Sequence, residues 1–255
     1  MQAPLSSTPR ADRAPRPLES SPLLNPFVAV VALAGLAITG LAAARVAPGM
    51  VLPLEAACIV AGAAEAFKVT VGTRTINVSA SMGVIIAALV ALGPGAAIIT
   101  AFAAALGAGF FPRLRPLHKT AFNAGLYALS AGAAGVVMSV LAPALASLPG
   151  VVAGVILVQV ALAMYVAVNW VLLCTVLWLG TRRAPVRTWR EDLCWLVLPL
   201  EVVGALGAVA GANYAHFGWV GAILCLVPLL ATRQTLRLEV IKHAINPGLK
   251  PAAAP

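Results

Sequence analysis

Glu201 is the residue whose surroundings point most clearly to chemistry. It lies eight residues after Leu193 in an apolar stretch, about 12 Å along a helix, and Pro199 precedes it by two positions. Proline leaves a helical carbonyl without its partner, and a carboxyl group beside such carbonyls is typical of a site for a cation, a proton or a polar ligand. A charge inside a membrane span is costly and indicates function by default. A protonated or hydrogen-bonded structural glutamate is the alternative.

Asn169 is the expected partner of Glu201. The two residues lie in consecutive apolar stretches, which we expect to run antiparallel and to pack together. Asn169 lies about 16 Å from the inner end of its stretch, near Gly180, and therefore at a depth similar to that of Glu201. Tyr165 follows one helical turn further out on the same face. Asparagine also joins membrane helices by hydrogen bonds, so a structural role for Asn169 stays open.

Two more acidic residues lie within apolar stretches. Glu55 follows Pro53 near the outer end of its stretch, and is expected either to line an outward-facing vestibule or to reach water at the interface. Glu65 precedes Lys68 by three positions, a spacing that predicts a structural ion pair on one helix face.

The fifth apolar stretch has two patterned faces. One carries small residues at alternating spacings of four and three, which predicts close helix packing: Ala121, Gly125, Ala128, Gly132 and Gly135. The adjoining face has the same spacing and could line a polar cavity: Asn123, Tyr127, Ser130 and Ala134. The candidate ligand-binding residues are therefore Glu201, Asn169, Tyr165, Glu55 and Asn123.

No pattern in the sequence indicates a metal site or a catalytic centre. The cysteines lie in apolar stretches without a CxxC motif, and the three histidines are scattered. Nucleophile elbow, Walker, HExxH and dinucleotide-binding motifs are all missing. We expect no catalytic residue, no metal and no cofactor.

The composition excludes a soluble domain. Hydrophobic residues make up 61% of the 255 residues and charged residues only 10%, whereas soluble domains have about 45–50% and about 25%. Too few polar side chains remain to cover a surface that faces water. The sequence therefore predicts an all-α, polytopic membrane helix bundle.

Short charged or Pro/Gly-rich segments divide the chain into eight predicted spans, with six as the lower limit: 27–44, 50–67, 78–93, 95–111, 121–142, 150–180, 193–213 and 217–232. The third and fourth meet at Gly93-Pro94-Gly95 and are expected to form a re-entrant pair or a tilted hairpin. The sixth is long enough that it must overhang the bilayer or be broken. Alternating β-branched residues in 68–80 favour a short hairpin. The predicted domains are a disordered tail (1–25), a transmembrane domain (26–232) and a cytoplasmic helix stub with a tail (233–255).

The distribution of basic residues supports this count. With both termini in the cytoplasm, 16 of the 17 Lys and Arg residues fall on the inner side, and only Arg45 falls outside. The net charge of +9 therefore reflects topology and contact with anionic lipid, not nucleic-acid binding. Two cytoplasmic segments are predicted to contact a partner or lipid through Arg182, Arg183, Arg187, Arg233 and Arg237.

Three segments in this order resemble a known membrane region. They are Asn77-Val78-Ser79-Ala80-Ser81 with its following helix, the basic loop 113–119 leading into Phe122-Asn123-Ala124, and Leu226–Leu230 continuing into Thr232-Arg233-Gln234. Together they resemble the N-terminal multi-helix sensor region of bacterial signalling proteins that carry HD-GYP phosphodiesterase or GGDEF cyclase domains. The family pattern continues Phe-Asn-Ala-Ala-Gln, whereas Gly125 and Leu126 follow here, and the chain ends at Pro255, where the output domain would begin.

The resemblance implies a sensory or ligand-binding module in the bacterial cytoplasmic (inner) membrane that acts through a cytoplasmic signalling partner. A small-solute transporter or a substrate-binding membrane subunit that uses Glu201 and Asn169 is the alternative. The expected partners are the lipid bilayer, a cytoplasmic signalling or transport protein and, as a further option, a second copy of the chain; nucleic acid is not among them.

Overall fold

Helices form wherever the chain is continuously apolar, because a helix satisfies its backbone groups internally and needs no water to do so. The computed structural model describes residues 21–66, 69–71, 76–78, 80–110, 114–190 and 194–245. In order along the chain, the helices are α1 (Leu24–Ala43), α2 (Val51–Ala66), α3 (Ser81–Leu92), α4 (Pro94–Phe110), α5 (Leu117–Ala144), α6 (Gly150–Thr181), α7 (Pro185–Thr188) and α8 (Val197–Ile245).

Short elements complete the connections between the helices. One 3-10 turn precedes α2 and another precedes α8, at Pro48–Met50 and Cys194–Leu196. Between α2 and α3, β1 (Val69–Val71) pairs antiparallel with β2 (Ile76–Val78), in a register that sets Val69 opposite Val78. The short hairpin predicted for 68–80 is confirmed.

The predicted helical bundle is confirmed at the level of helix positions and apolar character. Among the described residues, five helical stretches are long and apolar enough to cross a membrane, namely α1, α2 together with its preceding 3-10 turn (Pro48–Glu65), α5, α6 and the part of α8 up to Gly221, while α3 and α4 are shorter apolar helices. α6 has 32 residues without a break, about 48 Å, so the alternative of a broken helix for this stretch is wrong. The eighth predicted span and the seventh from Val197 onward both lie in α8, which is interrupted at Gly218 by a backbone turn with φ 60° and ψ −144°.

The start of α1 differs from the predicted disordered tail. Residues 21–25 belong to that tail by prediction, yet Leu24 already begins α1 and Ser21 is 6% exposed. The Ser21 backbone N–H donates a hydrogen bond to the Leu179 carbonyl at 2.9 Å, which holds this segment against the end of α6. Residues 1–20 lie outside the described residues.

The interior of the bundle is built around α3, α4 and α5. α4 packs against α1, α2, α3 and α5, and alanines on one side of it are fully buried. Gly93 has φ 90°, a left-handed conformation that suits glycine, and it lets α4 begin at Pro94 directly after α3. The two short helices therefore form a tight hairpin inside the bundle.

The small-residue face of α5 packs as predicted from Gly125 onward, whereas Ala121 is exposed. Gly125 lies directly against the α1 backbone at Val31 and Gly35. Gly135 lies against Pro94 of α4, with 2.6 Å between a Cβ added at Gly135 and the Pro94 Cβ. Glycine is required at these positions because any side chain would push α5 away from its two neighbours.

A second set of glycines joins α8 to the bundle, and sequence reasoning did not single it out. Gly207 lies against the carbonyl of Gly83 in α3, and Gly211 lies against Ala87 one turn further along. Gly204 faces Leu162 of α6. α8 therefore sits in the groove between α3 and α6, in backbone contact with α3.

The close approach at Gly207 leads to a stability prediction. Gly207→Ala places a methyl group on the Gly83 carbonyl, so we expect it to destabilise the protein by about 1–3 kcal/mol through overpacking. Gly40→Ala in α1 is the matched control because nothing lies within 4 Å of its added Cβ, and the change should be neutral or stabilising. Thermal unfolding in detergent measures both variants, and equal midpoints would contradict the packing described here.

Candidate functional site

Glu65 lies in the last turn of α2 and is almost completely inaccessible. Its side chain is 2% exposed, and among the residues whose burial the structure describes it is the one acidic side chain in the buried class. A carboxyl group loses its hydration when buried, which is unfavourable unless protein groups replace the water. The atoms around Glu65 therefore determine whether the bundle can close over it.

Two hydroxyl groups from different helices donate to the same oxygen of Glu65. The Ser81 hydroxyl at the start of α3 donates to Oε1 at 2.5 Å, and Ser81 is itself 2% exposed. The Tyr127 hydroxyl of α5 donates to the same atom at 3.4 Å. Hydroxyl groups from α3 and α5 therefore replace water around this carboxyl group.

Tyr165 and Arg115 lie around the Glu65–Tyr127 pair. Tyr165 of α6 is 4% exposed and close enough to interact electrostatically with Glu65 and with Tyr127. Arg115, in the link before α5, is half-buried and interacts electrostatically with Tyr127. We call Glu65, Ser81, Tyr127 and Tyr165 the Glu65 cluster; Arg115 lies at its edge.

The hairpin brings the first two members of the cluster together. α2 ends just after Glu65, β1 and β2 pair antiparallel, and α3 begins at Ser81, so the chain returns to the point it left. The Ser81–Glu65 hydrogen bond joins the end of α2 to the start of α3 at the base of the β1–β2 hairpin. We call the end of the bundle that carries β1 and β2 the hairpin end; α2, α4 and α6 finish there, and α3 and α5 begin there.

The polar face predicted on α5 is buried against other helices. Tyr127 reaches Glu65, and Ser130, 0% exposed, donates its hydroxyl to the carbonyl of Leu126 in its own helix. Ala134 is also buried. Asn123 is half-buried, one turn nearer the hairpin end than Tyr127. This face therefore packs instead of lining a cavity along its length, and its tyrosine belongs to the cluster.

Glu201 and Asn169 lie at neighbouring levels but are not hydrogen-bonded to each other. Gly204 faces Leu162, which places Glu201 one turn and Asn169 two turns nearer the hairpin end than this contact. Both side chains are half-buried, and neither makes a hydrogen bond with any part of the chain that the structure describes. Glu201 and Asn169 therefore lie at similar levels, as predicted, but they do not make the predicted contact.

Glu55 lies apart from the cluster, exposed on α2 and about 15 Å from Glu65 along the helix axis. Of the predicted candidates, the structure brings Tyr165 near the buried carboxyl group, while Asn123 lies one turn from Tyr127 and Glu55 lies apart. Lys68, the predicted ion-pair partner of Glu65, lies outside the described residues. In the sequence, Glu65 was indicated by its position inside an apolar stretch. The burial of its side chain, however, depends on the fold of the hairpin.

The arginines predicted to contact a partner lie in two parts of the chain, one formed by the link after α6 together with α7, the other by the end of α8. Arg182 ends α6 in a left-handed conformation with φ 56°, and α7 then turns the chain back along α6. This return places the Trp189 ring edge-on to Trp170, with 4.3 Å between the ring centroids. Arg182 and Arg187 are exposed and Arg183 is half-buried. Arg233 and Arg237 lie on successive turns of α8, so the predicted stub 233–245 is a direct continuation of this helix.

The described residues contain no group of three or more His, Cys, Asp or Glu side chains that could hold a metal ion. Comparison with family models gave no match. Comparison with curated proteins and with solved structures gave none either. The geometry of the chain itself therefore carries the functional argument.

The Glu65 cluster leads to a prediction that separates two equally buried serines. Ser81→Ala removes a donor from the buried carboxyl group and should destabilise the protein by about 1–3 kcal/mol. Ser130→Ala removes a bond within one helix, to a carbonyl that can keep its helical partner, so its effect should be small. Thermal unfolding of both variants in the same detergent is the measurement. If Ser130→Ala destabilises the protein as much as Ser81→Ala does, the hydrogen bond between helices contributes no more to stability than the bond within α5.

Proposed function

We propose that this protein is an integral membrane sensory or ligand-binding module, in which the state of the Glu65 cluster is passed to a cytoplasmic signalling partner. The observation that carries the proposal is the buried carboxyl group of Glu65, held by hydroxyls from two other helices at the base of the β1–β2 hairpin. A group of this kind joins the interior of the bundle to a surface element. A change in its charge or its ligand therefore has a direct route to the surface.

The route begins at the Ser81–Glu65 hydrogen bond. Its strength depends on the negative charge of the acceptor, because a charged acceptor binds a hydroxyl more tightly than a neutral one. A cation or a proton that neutralises Glu65 weakens this bond and loosens the joint between α2 and α3. Two arrangements of the hairpin, one with the bond and one without it, are then the states between which a ligand selects.

The same cluster connects this change to the other helices. Tyr127 and Tyr165 link it to α5 and α6, and Arg115 links it to the connection between α4 and α5. α6 continues from Tyr165 to Arg182, where the basic segment with Arg183 and Arg187 begins. A partner that binds the hairpin end would contact the hairpin, the basic segment or both. A change at Glu65 would therefore alter the contacts that this partner makes.

We further propose eight membrane crossings, with α8 crossing twice through its break at Gly218 and both termini in the cytoplasm. The alternating directions of the helices support this arrangement, as does the collection of basic residues at the hairpin end. The hairpin end then faces the cytoplasm of a bacterium, and the chain resides in the inner membrane.

A small-solute transporter is the second proposal. Glu201 favours it, because a half-buried carboxyl group beside Pro199 in an apolar helix is otherwise costly to keep. The two proposals name different carboxyl groups, so a matched pair of variants separates them.

Glu65→Gln keeps the shape of the side chain and removes its charge, so we expect the hairpin to open more often. Hydrogen exchange of the β1 and β2 amides, measured by mass spectrometry on the full chain in lipid nanodiscs, should accelerate about tenfold or more. The exchange of α6 between Gly150 and Leu162 should stay unchanged because this segment lies away from the cluster.

Glu55→Gln is the matched control, since it makes the same chemical change in the same helix at an exposed position. It should leave the exchange of the hairpin unchanged. Glu201→Gln separates the two functions: faster hairpin exchange in Glu201→Gln and not in Glu65→Gln would overturn the sensory mechanism. Loss of solute uptake into proteoliposomes in that variant alone would then support the transporter.

The proposed topology is checked with reporter fusions. A reporter that is active only in the periplasm should give signal when fused after Pro149, in the turn between α5 and α6, and after Gly218, at the break in α8. A fusion after Thr181 should give none. Activity after Thr181, or inactivity after Gly218, would contradict eight crossings.

A further inference from the structure

The opposite end of the bundle contains a cleft that the proposed function does not use. It lies between α1, α2 and α4, has a volume of about 480 Å³, and falls within the range of small-molecule sites. Apart from Arg45, the residues that line it have apolar side chains or none, with Ile38, Leu41, Met50, Leu54 and Ile98 among them. Arg45 is the one charged residue that lines it.

The cleft opens on a surface that is itself apolar. Leu41 on its rim is 61% exposed, and Leu33 and Leu36 on the same helix are 65% and 55% exposed. Exposed leucines in a row along a long apolar helix are typical of a face in contact with lipid. Hydrocarbon chains of the bilayer therefore have direct access to the cleft.

Arg45 is an unusual residue for this end of the bundle. It follows the end of α1, and the other links at this end, around Gly93, 145–149 and Gly218, contain no Lys or Arg. Positive charges are usually kept on the other side of a membrane protein. Arg45 is exposed and makes no ion pair with a carboxylate of the described residues. Its charge is therefore available to an anion from outside the chain.

We propose that this cleft binds an anionic phospholipid, with one acyl chain between α1, α2 and α4 and the phosphate facing the Arg45 guanidinium. One cation above an apolar cleft matches one phosphate above a hydrocarbon chain, and guanidinium pairs well with phosphate. A phospholipid of the bilayer is the occupant because the cleft opens on the face where lipid is the solvent. The proposal does not depend on the Glu65 cluster or on the sensory mechanism.

The test uses the full chain, purified in a neutral detergent and stripped of lipid. Thermal unfolding is followed in mixed micelles that contain either phosphatidylglycerol or phosphatidylcholine, and native mass spectrometry counts the lipids that remain bound. We expect phosphatidylglycerol to stabilise the protein at lower concentration than phosphatidylcholine does. Arg45→Gln should weaken the apparent affinity for phosphatidylglycerol about fivefold, as expected for one charge near a lipid phosphate.

Lys119→Gln is the matched control for charge, because Lys119 is exposed at the hairpin end. This variant should keep the preference for phosphatidylglycerol. For the acyl chain, Gly95→Leu fills the cleft, and a Cβ at Gly95 has only Ala42 nearby, at 3.8 Å. It should reduce binding of both lipids, whereas Gly40→Leu, with no atom within 4 Å of its added Cβ, should not.

Four outcomes would overturn the proposal. Equal stabilisation by both lipids, or equal loss in Arg45→Gln and Lys119→Gln, would remove the role of Arg45. Binding of dodecanoate that depends on Arg45, without binding of phosphatidylglycerol, would assign the cleft to a free fatty acid. An Arg45-dependent mass of two chains without lipid would assign it to a second copy. If Gly95→Leu fails to fold, the Arg45→Gln and Lys119→Gln pair still decides the question.

Discussion

The fold depends on how the bundle keeps a carboxyl group in its interior. Lipid offers no hydrogen bonds, so every polar group buried between membrane helices must find its partner within the protein. Glu65 meets this constraint with the hydroxyls of Ser81 and Tyr127, which come from two other helices. The positions of α2, α3 and α5 at the hairpin end are thereby tied to one another through a single oxygen atom.

The helices reach these positions because glycines let their backbones touch. The hydrophobic effect does little to bring helices together in lipid, where the surroundings are as apolar as the side chains. Close approach and good van der Waals packing take over that role. Gly125 and Gly135 hold α5 against α1 and α4, and Gly207 holds α8 against α3. These contacts set the distances that bring the hydroxyls within reach of Glu65.

The two ends of the bundle differ in their chemistry. At the hairpin end, a buried carboxyl group lies beside tyrosines, with Arg115 at the edge of the cluster and basic segments beyond it. At the opposite end, a single arginine lies over an apolar cleft that opens toward lipid.

The sequence by itself determined the class of the protein, the positions of its helices, the hairpin between α2 and α3, and the small-residue face of α5. These features follow from local patterns: an apolar stretch must be helical in a membrane, and alternating β-branched residues favour paired strands. It also picked out Tyr165, although for its position on the same helix face as Asn169 and not for its proximity to Glu65.

Only the tertiary structure decided which carboxyl group lies in the interior. Glu201 and Glu65 each lie in an apolar stretch, and Glu201 has the more suggestive neighbours in sequence, Pro199 among them. Burial, however, depends on what covers a side chain from other helices. Glu65 is covered because the hairpin returns Ser81 to it and α5 brings Tyr127, whereas Glu201 is half-buried on α8. Such contacts join residues 16 and 62 positions apart, a separation at which no local pattern in the sequence carries a signal.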